Sequence, residues 1–252
     1  MYFKTKAVIL KSYNGDKNNT YITTYTRDFG KITYLSRGLN KNKAKLKPAL
    51  IPFVLSEIIA VISKGSPVIT RARLIKNLYS KTNFRNQILS FYFANLTDKL
   101  TEDRLKDKRI FSLIIGALNV LEKPDSKEFL RNLLLVYFPL KLIKYLGYMP
   151  EFDYCVNCLK KLSSGSIYLS YVKNGVLCNY CKNEDKKALK VTYQEFNLLK
   201  KISQINFKKS EQSQPLINQL EKIARFVNLY AFYISGESPR AYIITNHLHC
   251  LQ

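Results

Sequence analysis

Four cysteines carry the most specific chemistry in this chain. Cys155 and Cys158 form one C-x2-C pair, Cys178 and Cys181 form a second, and nineteen residues lie between the pairs. That separation is the spacing of a zinc ribbon. Each pair sits at a tight turn, so both of its sulfurs can point at one ion. Four thiolates then close a tetrahedron around Zn²⁺ and leave no position for water, so the expected site is structural rather than catalytic. Chance pairs or disulfides are the alternative. The segment between the pairs fits a short hairpin: Ile167–Val172 as a strand, Lys173-Asn174-Gly175 as a turn, and Val176-Leu177 as the return.

The second chemical signal is cationic. The formal net charge is +23, and residues 1–80 carry 15 Lys or Arg against 3 acids, a net of +12. From Phe29 to Thr97 the only acid is Glu57. A surface of this sign attracts polyanions, and nucleic acid is the commonest one in a cytoplasm. Arg37, Lys41, Lys43, Lys45 and Lys47 fall within twelve residues with no acid among them. The four lysines alternate, so an extended backbone would place them on one side, where a row could follow a phosphate chain. Arg71 and Arg73 share one face of a strand by the same arithmetic. Tyr13, Tyr21, Tyr25 and Tyr34 offer rings for base stacking, or are ordinary barrel packing.

The elements that must position these groups follow from periodicity. Residues 1–78 read as five short strands, Thr5–Lys11, Asn19–Thr26, Lys31–Ser36, Phe53–Ile62 and Pro67–Ile75, broken by turn signals such as Asn14-Gly15-Asp16 and Asp28-Phe29-Gly30. Five strands in this length suit a small barrel of the OB-fold or SH3-like kind. After Asn77 the period becomes helical: Leu89, Phe93, Leu96 and Leu100, then Ile110, Ile114, Ala117 and Leu121. A buried helix is expected through Phe129–Val136, capped at Ser126 and kinked or divided by Pro139. Gly147 and Pro150 close it, and the cysteine segment follows at once. Further helices are expected over Thr192–Ile205 and from Leu216 to Ile234. The fold class is therefore α+β multidomain: an OB-fold-like barrel over 1–78 and a helical domain over 79–252, with a zinc ribbon inserted at about 151–185.

Absences narrow the function. The chain has only two histidines and no phosphate-binding glycine loop, no G-x-S-x-G elbow and no His-Glu-x-x-His helix. Glu102, Asp103 and Asp107 sit among cations and read as a solvated helix face. A DNA glycosylase with a C-terminal zinc finger fits neither the start Met1-Tyr2-Phe3 nor the ribbon's place in the chain. A binding protein, not an enzyme, is expected. The opening residues read as strand rather than as a secretory leader, and the longest apolar run, Leu133–Leu140, is too short to span a bilayer. Paired cysteines without a leader fit a reducing cytoplasm, with the protein at the nucleoid. His247, His249 and Cys250 could form a second metal site or a loose tail.

Several stretches resemble the RecO recombination mediators of bacterial DNA repair. Thr5-Lys-Ala-Val-Ile-Leu-Lys11 is similar to the family's first strand, and Thr20-Tyr-Ile-Thr-Thr-Tyr-Thr26 with Phe29-Gly30-Lys31 to its second strand and turn. Arg37-Gly38 resembles its entry into a basic loop. Leu142-Ile-Lys-Tyr-Leu-Gly147-Tyr-Met-Pro150, running into Cys155-x2-Cys158, is the most specific match, while Ser238-Pro-Arg240 only partly matches the family's Lys-Ser-Arg element. The resemblance implies an N-terminal OB-fold and a helical domain with an inserted zinc ribbon. It implies binding to single- and double-stranded DNA and annealing of complementary strands. It also implies partnership with RecR and with the acidic C-terminal tail of single-stranded DNA-binding protein, and so loading of recombinase on coated strands. For that tail, Lys127 with Arg131 and Lys141 with Lys144 share helical faces, and Leu134, Phe138 and Leu142 could floor a notch. An RNA- or ribosome-associated protein would use barrel, lysines and ribbon equally well. A scaffold for acidic proteins is a further alternative, separable by the salt dependence of DNA binding.

Overall fold

The computed structural model describes residues 2–16, 19–39, 44–62, 65–77, 84–122, 128–162, 165–207 and 217–236. The chain divides into two compact units, Met1–Ser126 and Lys127–Gln252.

In the first unit β1 (Tyr2–Asn14), β2 (Asn19–Thr26), β3 (Gly30–Arg37), β4 (Val54–Val61) and β5 (Val68–Asn77) close into a barrel in the order β1-β2-β3-β5-β4. All five expected strands are present, with ends displaced by three residues or fewer. Closure rests on β1. Its first half, Tyr2 to Val8, pairs with β4, and its second half, from Ala7 to Asn14, pairs with β2. A register shift between Ile9 and Lys11 bends the strand between its two partners. β3 and β4 alternate buried and half-buried residues along their length. The period-2 pattern thus points Ile32, Tyr34, Val54, Ile58 and Ala60 into one core with Ala7, Ile9 and Ile22.

Two helices belong to the same unit, α1 (Phe84–Leu100) and α2 (Lys108–Leu121). By packing, the first compact unit thus runs past residue 78 and takes in both helices. Phe91 on α1 meets Phe53 edge to face at 4.6 Å, and Lys11 on β1 pairs with Asp98 on α1 at 2.5 Å. Residues 101–107 connect the helices and are not a solvated helix face. Asp107 instead caps α2, accepting from the Arg109 backbone N–H at 2.7 Å. The Arg109 guanidinium beside it holds its carboxyl below the ordinary range.

In the second unit α3 (Glu128–Tyr145) precedes a four-stranded sheet, and α4 (Tyr193–Gln204) and α5 (Ile217–Ile234) follow it. The sheet is β6 (Glu151–Cys155), β7 (Ile167–Ser170), β8 (Gly175–Leu177) and β9 (Leu189–Val191), in the order β6-β8-β7-β9. Residues from Asn132 to Ile143 are all buried, as expected of a helix apolar nearly all round. Pro139 does not divide α3. A proline removes the hydrogen bond to the carbonyl four residues back, and here that carbonyl, Leu135 O, accepts instead from Asn228 Nδ2 on α5 at 3.1 Å. The helix ends at Gly147, whose φ is +85°. Gly147 N–H donates to Lys144 O at 3.2 Å and Tyr148 N–H to Ile143 O at 3.0 Å, the paired bonds of a Schellman cap. Thr192 and Glu195 form a reciprocal capping box at the start of α4. The expected cap Ser126 lies outside the described residues.

Candidate metal centre and nucleic-acid interface

The four cysteines meet. Their sulfurs all lie within 4.8 Å of one another, and none is in a disulfide. The hairpin that brings them together is the expected one: Tyr168 pairs with Leu177, Leu169 with Val176 and Ser170 with Gly175. β6 lies parallel on the other side of β8, with Cys155 opposite Val176. That approach requires Gly175, because a Cβ there would come within 2.8 Å of Glu151 O. Tight turns hold each pair, with Leu159 N–H bonded to Cys155 O at 2.9 Å and Cys181 N–H to Cys178 O at 3.1 Å.

The donor set fits a soft dication. Cys158 Sγ and Cys178 Sγ are 3.8 Å apart, the edge of a tetrahedron built on Zn–S bonds of about 2.3 Å. Cys178 N–H donates to Cys155 Sγ and Asn157 Nδ2 to Cys181 Sγ, each at 3.4 Å, as thiolates require. Burial raises the Cys155 thiol, but the N–H groups of Cys158, Cys178 and Asn157 outweigh it and bring it down to about 6. At Cys181 the Asn157 amide favours the thiolate, yet desolvation and the three neighbouring thiols push it up to about 12. Four sulfurs this close cannot all ionise without a cation between them.

On the barrel, part of the expected row lies within the described residues, and that part is not one extended run. Arg37 is exposed at the end of β3, and Lys45 and Lys47 are exposed beyond it. Lys45 lies in a turn and Lys47 opens a short 3-10 helix over Lys47–Ala49 with Pro48 in its first turn, so this stretch is not extended. Lys41 and Lys43 lie outside the described residues. Arg71 and Arg73 do share a face of β5, opposite Ile59 and Glu57 of β4. Glu57 is divided between Lys4 at 3.1 Å and Arg73 at 3.5 Å. Arg37, Lys45, Lys47 and Arg71 form no ion pair among the described residues.

The tyrosines separate into two kinds. Tyr25 and Tyr34 are fully buried, and burial raises both hydroxyls, so neither offers a ring to a base. Tyr13 and Tyr21 stack on each other at the surface, 5.2 Å between centroids and 18° between planes. Across the sheet Tyr13 pairs with Tyr21, Tyr21 with Leu35, and Asn19 with Arg37, which sets the stacked pair on β1 and β2, beside the arginine's β3.

The expected notch on α3 is closed. Leu134, Phe138 and Leu142 are core, and Lys141 is 5% exposed. Lys141 and Lys144 both donate to Ser203 O, at 2.9 and 3.0 Å. Burial and the adjacent Lys144 bring Lys141 down to about 8. Arg131 is half-buried and Lys144 exposed, while Lys127 lies outside the described residues, as do Arg240, His247, His249 and Cys250. Sequence reasoning passed over Arg104 and Lys106, exposed in the connection between α1 and α2. Recognising Asp107 as a helix cap would have freed that segment from the helix it was assigned to. No described helix is long and apolar enough to cross a membrane.

Residues 1–78 match the family described as "Recombination protein O N terminal", and residues 82–231 match "Recombination protein O C terminal". The chain is similar to the DNA repair protein RecO of Caldicellulosiruptor saccharolyticus, 27% identical over 216 residues, covering 83% of this chain and 86% of the relative. It is 26% identical over 202 residues to that of Halalkalibacterium halodurans, covering 79% and 77%. It is 29% identical over 185 residues to that of Dehalococcoides mccartyi, covering 72% and 70%.

Proposed function

The chain belongs to the RecO family of DNA repair proteins, and from that premise we propose that it is a recombination mediator that binds single- and double-stranded DNA on its barrel. In this reading it anneals complementary strands and helps load recombinase where single-stranded DNA-binding protein coats the DNA. One observation supports it above the rest. Arg37, Lys45, Lys47 and Arg71 stand on one small barrel with no ion-pair partner among the described residues, and Arg37 on β3 lies next to β2, which carries Tyr21 of the stacked pair. Exposed cations read phosphates and rings read base faces, so binding is largely independent of sequence.

We read the barrel as an OB-fold, on the strength of five strands closing in the order β1-β2-β3-β5-β4. Residues 1–78 would then be the DNA-binding module. The four thiols are assigned one structural Zn²⁺. RecR and the acidic tail of single-stranded DNA-binding protein follow from the resemblance. With the α3 notch closed, Lys144 is the exposed cation of that set for the tail's acids to meet, and Lys141 is withdrawn from that role.

Annealing of complementary strands coated with single-stranded DNA-binding protein is the direct test. The protein should speed annealing over the coated strands alone, and Arg37→Ala with Arg71→Ala should remove most of that gain. Equal competition by matched RNA would turn the assignment toward RNA.

A further inference from the structure

Along β3, from the turn at Phe29 to Pro67 beside Leu35, lies a cleft of about 590 Å³, lined chiefly by Phe3, Phe29, Ile32, Ile62, Arg104 and Lys106. It is open and apolar: Phe29 is 39% exposed and Ile62 58% exposed. Phe3 and Phe29 meet in a T, 5.1 Å between centroids and 73° between planes, and the Phe29 ring stays partly open to solvent.

The rim is fixed in place. Arg104 holds a left-handed backbone, φ +63°, a conformation that costs energy for any residue but glycine. Its N–H donates to Lys31 O at 2.8 Å. Tyr25 Oη, from inside the barrel, reaches Leu105 O and Asp107 O at 3.4 Å. Gly30, with φ +70°, has no room for a Cβ because Leu105 O lies against it. These contacts hold Arg104 and Lys106 over an apolar floor, and neither makes an ion pair among the described residues. Strain retained at a cleft mouth, with two cations that form no ion pair among the described residues, calls for an anionic ligand with a flat apolar part.

We propose that this cleft takes one unstacked base of a bound DNA strand, on the Phe29 ring, with the adjoining phosphate held by Arg104 and Lys106. The proposal rests on the DNA-binding reading above and adds a second anchor to it. β3 runs from Gly30 beside the cleft to Arg37 at the basic end, a span of about 23 Å at about 3.3 Å per residue. Asp28 lines the same cleft, and one of its carboxylate oxygens accepts from Thr5 Oγ1 at 2.9 Å. The other is able to accept from the exocyclic amine of a base, which favours cytosine or adenine over thymine.

The test uses the full chain and strands of about 4 and about 16 nucleotides, the range of OB-fold site sizes, the longer carrying 2-aminopurine. Arg104→Gly keeps the left-handed backbone and removes the guanidinium; Phe29→Leu keeps apolar bulk and removes the ring. Each should weaken the long strand about ten-fold, as loss of stacking or of a charged contact does. Each should also abolish the 2-aminopurine fluorescence change and leave the short strand bound as before. Wild-type affinity and fluorescence in both variants would overturn the proposal and leave the cleft for an apolar peptide. If the wild type binds neither strand, the DNA-binding reading itself falls, and this site with it.

Discussion

Lys45 and Lys141 are the same residue in regions that use it oppositely. Lys45 stands in a turn beside the barrel, exposed and without an acid partner among the described residues. Lys141 is enclosed between α3 and α4, its ammonium on Ser203 O and 5.3 Å from the Tyr137 ring centre. In the first unit the cations of loops and strand ends remain outside because those segments face water, while Lys31 within β3 is drawn in onto Asp98 O. In the second, a helix buried on nearly every side encloses whatever residue falls on it, and the backbone must then supply an acceptor. A count of cations therefore locates a binding surface only where the local backbone leaves them outside. The cysteine cluster adds to the contrast: the barrel closes on its own core, whereas on the zinc reading the small sheet would depend on its four thiols being bridged.

Removing a cysteine should produce the largest effect. Structural zinc contributes about 10–16 kcal/mol of binding free energy in small finger peptides. Cys158→Ser should therefore abolish metal binding and unfold the small sheet. Metal analysis together with limited proteolysis would show this, while DNA affinity from the barrel persists. One zinc per chain in the variant, or an intact sheet without it, would remove the distinction between the units.

Next in size is loss of the barrel cations. Neutralising Arg37, Lys45, Lys47 and Arg71 together should make the slope of log affinity against log salt shallower by about 3 to 4 units. Titrations at several salt concentrations measure it. An unchanged slope would move the phosphate contacts off the barrel. Asn228→Leu should cost about 1–3 kcal/mol, because it leaves the Leu135 carbonyl buried and unbonded beside Pro139. Urea unfolding reads that loss, and a neutral result would show that the helix tolerates its proline unaided.

The smallest effect concerns pH. Lys141 is held at about 8 against an ordinary 10.5, so the folded state resists its protonation. The resulting cost is fully present below about pH 8 and disappears as the pH rises through 10.5. Wild-type stability should gain over that window by an increment that Lys141→Met lacks. Parallel unfolding curves for the two proteins across the window would show that Lys141 is not disfavoured by burial after all.

The meeting of the four cysteines was legible because cysteine spacing is itself a geometric constraint, and the strands because alternation survives any tertiary context. Lys141 was misread, and Tyr25 and Tyr34 stayed open between stacking and barrel packing, for the opposite reason: periodicity says which face a residue takes, not what later covers that face. The lysine row failed at Lys47, where Pro48 favours a helical start over an extended chain. The bond that carries α3 past Pro139 comes from a residue 93 positions from its acceptor, and no local pattern could announce it. Arg104 was hidden by its neighbours Glu102 and Asp103, whose charge made the segment read as a wet helix.

The barrel's ring of hydrogen bonds is uneven. Every junction but one is a long antiparallel ladder; β3 meets β5 in parallel at the single pair Leu35 and Val68, with Leu35 N–H on Pro67 O. That junction is where the cylinder would unzip, and its amides should exchange with solvent before the others. Arg37 lies two residues past Leu35 and Arg71 three past Val68, on opposite lips of the junction. A polyanion spanning both arginines would act as a suture, so that occupancy of the surface and rigidity of the cylinder rise together.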